Sequence, residues 1–139
     1  NIKAILLDID NTMIDTDNNI LEGIEDWVEE AKNHGIKFCI LSNTNKKKKA
    51  EKMSKKLEVP YIYFAKKPFK FGFNRAKKIV QENSENIAVI GDQILTDVLG
   101  ANRSHMYSIL VEPLAEKDIF VTRFNRLIER QILKKYKQK

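Results

Sequence analysis

Cysteine is nearly absent from this chain. Cys39 is the single one among 139 residues, so no disulfide framework can form within the chain and a reducing compartment is the natural setting. It lies inside the apolar run at 36–41 and reads as a buried structural thiol. Histidine is scarce too: His34 and His105 are isolated, which with a single cysteine argues against a zinc site. No apolar run approaches the roughly 20 residues of a membrane-spanning helix, and no signal-peptide pattern is visible. With five glycines and three prolines, there is no linker, repeat or low-complexity tract beyond the lysines. Acids are in deficit, 19 against 25 basic residues, and the net charge of +6 favours anionic partners such as phosphates, nucleic acid or acidic lipid. What is present is an ordinary globular composition, 42% hydrophobic and 32% charged, long enough to bury a core as one domain over residues 1–139. The chain starts on Asn1 with an apolar run almost at once, so a trimmed or processed N-terminal segment is expected.

Apolar runs and amphipathic stretches alternate strictly. Strands are expected at residues 2–7, 36–41, 61–64, 87–90 and 107–111. Between them, Leu21, Ile24, Trp27, Val28 and Ala31 recur at helical spacing, with Gly35 as a stop. Ala50, Met53 and Leu57 line a lysine-rich helix broken by Pro60. Phe73, Ala76, Ile79 and Val80 mark a third helix, Ile94, Leu95, Val98 and Leu99 a fourth, and Phe124, Leu127, Ile128 and Ile132 a last one. Such alternation implies an α/β fold with a parallel sheet covered on both faces. Ligands then bind at the carboxyl ends of the strands.

Every polar candidate falls at that end. Strand one stops on Asp8-Ile9-Asp10-Asn11-Thr12, and side-chain alternation puts Asp8 and Asp10 on one face about 7 Å apart. Strand two ends on Ser42-Asn43-Thr44-Asn45, residues that favour helix N-caps. Lys66-Lys67-Pro68 follows strand three. Strand four ends on Gly91-Asp92, with Asp97 in the helix beyond. Carboxylates at Asp8, Asp10 and Asp92 suit a hard cation such as Mg²⁺. Ser42, at a strand-to-helix junction, and Lys67 suit a phosphate. A carboxylate can attack phosphorus while its neighbour shuttles the proton.

In order, these segments are Asp-Ile-Asp-Asn-Thr at 8–12, Leu-Ser at 41–42, Lys-Pro at 67–68 and Gly-Asp-x-x-x-x-Asp at 91–97. The set resembles the four motifs of the haloacid dehalogenase (HAD) superfamily of phosphatases. Val89 to Arg103, Ile109 to Pro113 and Thr122 to Arg126 with Glu129 are further similar to the YqeG-type branch of subfamily IIIA, which includes phosphatidylglycerophosphate phosphatases. The resemblance implies a three-layer Rossmann-like core with strand order 3-2-1-4-5. It implies Asp8 as nucleophile and Asp10 as acid/base, with Ser42, Asn43 and Lys67 on the phosphate. Mg²⁺ would be held by the Asp8 side chain, the Asp10 carbonyl and Asp92. Asp97 would support the metal's water shell or pair with Lys67. The segments at 13–41 and 43–66 leave no room for a cap domain. One departure is Ser104-His105, where the family pattern leads one to expect a glycine.

The substrate implied by the branch is phosphatidylglycerophosphate, met at an anionic membrane surface by a cytoplasmic, peripherally attached enzyme with no nucleic-acid partner. A polynucleotide end phosphatase or a phosphatase of small esters is the alternative. A receiver-like phospho-acceptor module would need its aspartate after strand three, where this chain has Phe64-Ala65. Lys46 to Lys49 reads as a solvated helix face or as a patch for anionic lipid. Asn102-Arg103 reads as helix-ending structure or substrate contact. Trp27 and the phenylalanines read as core.

Overall fold

A computed structural model describes residues 1–15 and 19–114. The expected last helix, Arg123, Arg126 and the C-terminal lysines lie outside the described residues. Five parallel strands form one sheet: β1 Ala4–Leu7, β2 Lys37–Leu41, β3 Tyr61–Ile62, β4 Ile87–Gly91 and β5 Tyr107–Leu110, in the order β3-β2-β1-β4-β5. Leu7 of β1 sits opposite Ile40 of β2 and Ile90 of β4, so three carboxyl ends are level. The helices are α1 Ile24–Asn33, α2 Lys47–Leu57, α3 Lys70–Val80 and α4 Leu99–Arg103.

Side-chain alternation divides the apolar residues between two layers. Ala4, Leu6, Cys39 and Leu41 face Phe73, Ala76 and Val80 of α3 and Ala101 of α4. Ile5, Leu7, Phe38 and Ile40 face Val28 of α1 and Ala50, Met53 and Leu57 of α2. Burial on both faces is why these strands are apolar at every position rather than at every second one. No cap domain interrupts the chain among the described residues.

Local chemistry sets the element ends. Gly35, at φ 87, closes α1 in the left-handed region, its amide donating to Lys32 O at 2.9 Å. Ile24, not Leu21, begins α1, because Gly23 at φ 86 breaks the spiral just before it. β3 is shorter than its apolar run suggests: Phe64 and Lys66 take φ 50 and 57, turning the chain out of the sheet. His105, the second residue past α4, adopts φ 60, a left-handed backbone that glycine takes with less strain.

Two further expectations are corrected. Ser42 to Asn45 do not cap α2, which starts at Lys47 with Lys46 as a cap lacking a side-chain bond. The Ser42 and Thr44 hydroxyls instead accept from the amides two residues on, Thr44 N at 3.1 Å and Lys46 N at 3.2 Å, which holds the segment as loop. Nor are all aromatics core. Phe38 and Phe73 are buried, whereas Trp27 is half-exposed against the Phe38 edge. Phe64, Phe69 and Phe71 are 52%, 62% and 57% exposed. Phe64 and Phe69 lie on the segment between β3 and α3, and Phe71 lies in the first turn of α3, all three side chains outside the two buried layers.

Candidate active site

β1 delivers Asp8 directly past its last residue, where the Asp8 amide donates to Ile90 O at 3.0 Å and keeps the chain in line with β4. Asn11 then takes φ 60, a conformation asparagine tolerates, and folds the motif into a turn. Met13 and Ile14 amides return to Ile9 O at 2.9 and 3.2 Å. That turn places Thr12 between two acids: its hydroxyl lies 3.3 Å from Asp8 Oδ2 and 3.4 Å from Asp92 Oδ1.

Lys67 is the centre of the site. Its side chain is only 2% exposed, and its ammonium donates to Asp97 Oδ1 at 2.6 Å, Leu41 O at 2.8 Å and Asp8 Oδ1 at 3.0 Å. Asn43 fixes the backbone behind it, with Oδ1 accepting from Lys67 N at 2.7 Å and Nδ2 donating to Lys67 O at 3.1 Å. The Lys67–Pro68 peptide is cis. Lys66, the neighbour with the same side chain, is exposed and lies over the Phe64 ring. Burial would push the Lys67 ammonium down, but the Asp8 and Asp97 carboxylates outweigh it and hold it above its usual range.

Asp97 is equally buried. Burial pushes its carboxyl up to about 6, with Lys67 partly offsetting that and Asp8 adding to it. The 2.6 Å contact between Asp97 Oδ1 and the Lys67 ammonium has the geometry of a buried ion pair. A single turn of π-helix at Ile94–Val98 aims Asp97 back at the site, and its Oδ2 accepts from Gln93 N at 3.2 Å. Gly91 leaves the space it needs: a Cβ there would meet Asp97 Cγ at 2.2 Å. Asp97 pairs with Lys67 and also lies in the carboxylate cluster that could hold a metal.

The carboxylates that converge are thus Asp8, Asp92 and Asp97, whose oxygens lie within 4.8 Å of one another. The Asp10 carboxylate is not among them. It points to Lys49 of α2, with which it forms a salt bridge. Ser42 is buried just past β2, next in sequence to Leu41, whose carbonyl accepts from Lys67. Two participants were not legible as such: Thr12, whose one signal was its place in the motif, and Lys49, which lies 39 residues from its partner and looks like one more lysine of a solvated face.

A family model described as mitochondrial PGP phosphatase matches residues 1–114. The Bacillus subtilis (strain 168) protein named Probable phosphatase YqeG is 46% identical over 140 residues, covering 100% of this chain and 81% of that one. Among solved structures, the cobalt-bound deoxy-D-mannose-octulosonate 8-phosphate phosphatase YrbI of Haemophilus influenzae shares the fold at TM-score 0.67 and 15% identity, over 90% of this chain and 75% of that one. The HAD-hydrolase YfnB of Bacillus subtilis, bound to magnesium, does so at TM-score 0.59 and 17% identity, over 74% of this chain and 49% of that one. Sheet order, placement of the acids and sequence identity agree: the chain is a phosphatase of the HAD superfamily and belongs to the mitochondrial PGP phosphatase family.

Proposed function

We propose that this enzyme is a Mg²⁺-dependent phosphomonoesterase that works through an aspartyl-phosphate on Asp8, with phosphatidylglycerophosphate as substrate at the cytoplasmic face of an anionic membrane. The observation that carries the chemistry is the division of labour between two acids two residues apart. Asp8 is held inward between Lys67 and Thr12, while Asp10 turns away to α2.

In this reading an Asp8 oxygen attacks phosphorus and the bond to the leaving oxygen breaks. Asp10 donates the proton to that oxygen. Asp10 then takes a proton from water, whose oxygen attacks the same phosphorus and releases Asp8 and inorganic phosphate. Lys67 and Ser42 receive phosphate oxygens. Asn43 has both ends of its side chain on the Lys67 backbone, so its contribution to phosphate binding is to position Lys67, with any direct contact left to its main chain. The donor set of Asp8 and Asp92 carboxylates with the Asp10 carbonyl fits a hard divalent cation, and the magnesium held by YfnB supports that choice. Such an ion would offset the repulsion between an anionic nucleophile and an anionic phosphate.

The lipid substrate draws support from the family and from the surface beside Lys67. Exposed Phe64, Phe69 and Phe71 are each accompanied by a cation: Lys66 at 5.2 Å, Arg103 at 5.9 Å and Arg75 at 5.6 Å from the respective ring centroids. Aromatic rings among basic residues suit an anionic bilayer interface. Arg103 thereby belongs to this surface. No helix among the described residues is long and apolar enough to cross a membrane.

The test is phosphate release with Mg²⁺ from phosphatidylglycerophosphate in micelles, 5′-phosphorylated oligonucleotides and small phosphate esters. The lipid should be turned over best, and Asp8→Asn should abolish release from every substrate. Lipid turnover no better than the rest would overturn the substrate assignment. Activity retained in Asp8→Asn would overturn the covalent mechanism.

A further inference from the structure

Beside the catalytic centre lies a second feature that the hydrolysis itself does not use. A cavity of about 540 Å³ opens between α2 and the turn after Asp10. Among the described residues that line it, five are lysines (Lys46, Lys48, Lys49, Lys52 and Lys56) and none is acidic. Its apolar wall is Ile14, Ile20 and Met53. The cavity adjoins the Asp10 side of the site. Lys49 lines it and also forms the salt bridge to Asp10, and Ile14 pairs through its backbone with Asp10.

Such a concentration of one charge is unfavourable for the helix that carries it. Lys48, Lys52 and Lys56 follow one another at four-residue spacing, where like charges repel. The first turn of α2 has no acid and begins on lysines, opposite to what the helix dipole favours. Among the described residues, Asp10 pairs with Lys49, Glu51 with Lys55, which is outside the cavity, and Glu25 with Lys56 at 3.4 Å. A solvated lysine face needs no cavity and no apolar wall. A ligand with an anionic group for the lysines and carbons for the wall matches both.

We propose that this cavity is the leaving-group subsite and binds a second phosphate of the substrate, one joined through a short carbon bridge to the phosphate being hydrolysed. The proposal rests on the phosphatase reading above and extends it from the bond broken to the group recognised. Asp10, the proton donor to the leaving oxygen in that reading, is salt-bridged to Lys49 of the cavity wall, so whatever the leaving oxygen is attached to extends toward Lys49. From Lys49 to Lys52 the helix rises about 4.5 Å, and to Lys56 about 10.5 Å. A glycerol-sized bridge between two phosphates falls within that span, and its carbons meet the apolar wall of Ile20 and Met53.

The experiment uses two soluble probes that cannot form a membrane. One is glycerol phosphate, which has only the scissile phosphate. The other is deacylated phosphatidylglycerophosphate, which adds a phosphodiester across the glycerol. The wild-type enzyme should prefer the second by about tenfold or more in kcat/KM. The double variant Lys48→Gln/Lys52→Gln should bring the ratio toward one through KM. Raising NaCl from about 0.05 M to about 0.5 M should do the same, since the Debye length shrinks to a few ångströms. Lys77→Gln/Lys78→Gln on α3, an equal loss of charge elsewhere, should leave the ratio as it is. No preference in the wild type, or a preference that survives Lys48→Gln/Lys52→Gln, overturns the subsite. A defect confined to micellar lipid, with the soluble ratio intact, also overturns it and assigns these lysines to the bilayer. If no phosphate ester is hydrolysed at all, the hydrolase reading fails, and the subsite is then judged by calorimetric binding of the same two compounds. Tighter binding of the diester, lost in Lys48→Gln/Lys52→Gln, upholds it, and equal binding rejects it.

Discussion

Removing the Lys67 charge tests the site's architecture most directly. Lys67→Met keeps the length and apolar stem of the side chain but deletes an ammonium with three acceptors within 3.0 Å. Asp97 suffers most. Its side chain is 2% exposed, burial already pushes its carboxyl up to about 6, and its cation is gone. Breaking a buried pair from one side costs about 3–5 kcal/mol, a large part of the roughly 5–15 kcal/mol that holds a domain of this kind together. Asp97→Asn should cost less, about 1–3 kcal/mol, because Lys67 keeps Asp8 and Leu41 O. The double variant should cost less than the sum, with a coupling of about 1.5–3 kcal/mol. The pH dependence has a definite sign. With Lys67 absent, burial and Asp8 continue to raise the Asp97 carboxyl, so the native state binds this proton more tightly than the unfolded chain does. Stability of Lys67→Met should therefore fall as pH rises from about 4, the unfolded value, past 6. Urea titrations followed by far-UV circular dichroism, with chelator present, measure all of this. A Lys67→Met cost below about 1 kcal/mol, additive with Asp97→Asn, would refute the idea that these charges depend on each other.

Four further outcomes are expected. Asp10→Asn should lower kcat about 10²- to 10⁴-fold on an alkyl phosphate, whereas on p-nitrophenyl phosphate, whose leaving group needs no proton, a rapid first-turnover burst of p-nitrophenolate should persist because only the later water attack has lost its base; loss of that burst would argue against Asp10 as the acid. Gly91→Ala would place a methyl 2.2 Å from Asp97 Cγ, so it should destabilise by about 1–3 kcal/mol and reduce turnover by displacing Asp97 from Lys67, as thermal unfolding and phosphate release would report. Burial pushes the Cys39 thiol up to about 12, with Arg75 only slightly opposing. It should ignore iodoacetamide at pH 8 until the protein is denatured, and stability should fall between about pH 9 and 12, where only the unfolded thiol gives up its proton. His105→Gly should raise stability by up to about 1 kcal/mol in the same urea titrations, by relieving the left-handed backbone at φ 60.

What the sequence determined by itself is everything that local patterning encodes. Alternating apolar runs and amphipathic stretches specify a parallel sheet with helices on both sides, because a strand buried on two faces must be apolar throughout. The end of each run then specifies which residues meet: Asp8 after β1, Ser42 after β2, Lys67 after β3 and Asp92 after β4 share one edge. The tertiary structure decided how those residues pair and which of them are buried. Lys67 lies 59 residues from Asp8 and 30 from Asp97, and only the fold makes it, rather than Lys66, the buried cation. Asp8 and Asp10 look equivalent in sequence, yet one meets Lys67 and the other Lys49. Ser42 and Thr44 have the chemistry of helix caps, but nearer amides take their hydroxyls. Phe64 and Phe73 are the same residue, one on a turn leaving the sheet and one beneath it. The physical reason is common to all of these. Periodicity reports which way a side chain faces relative to its own element, whereas charge pairing, burial and cavity walls depend on which other elements arrive, and no single stretch of chain carries that information.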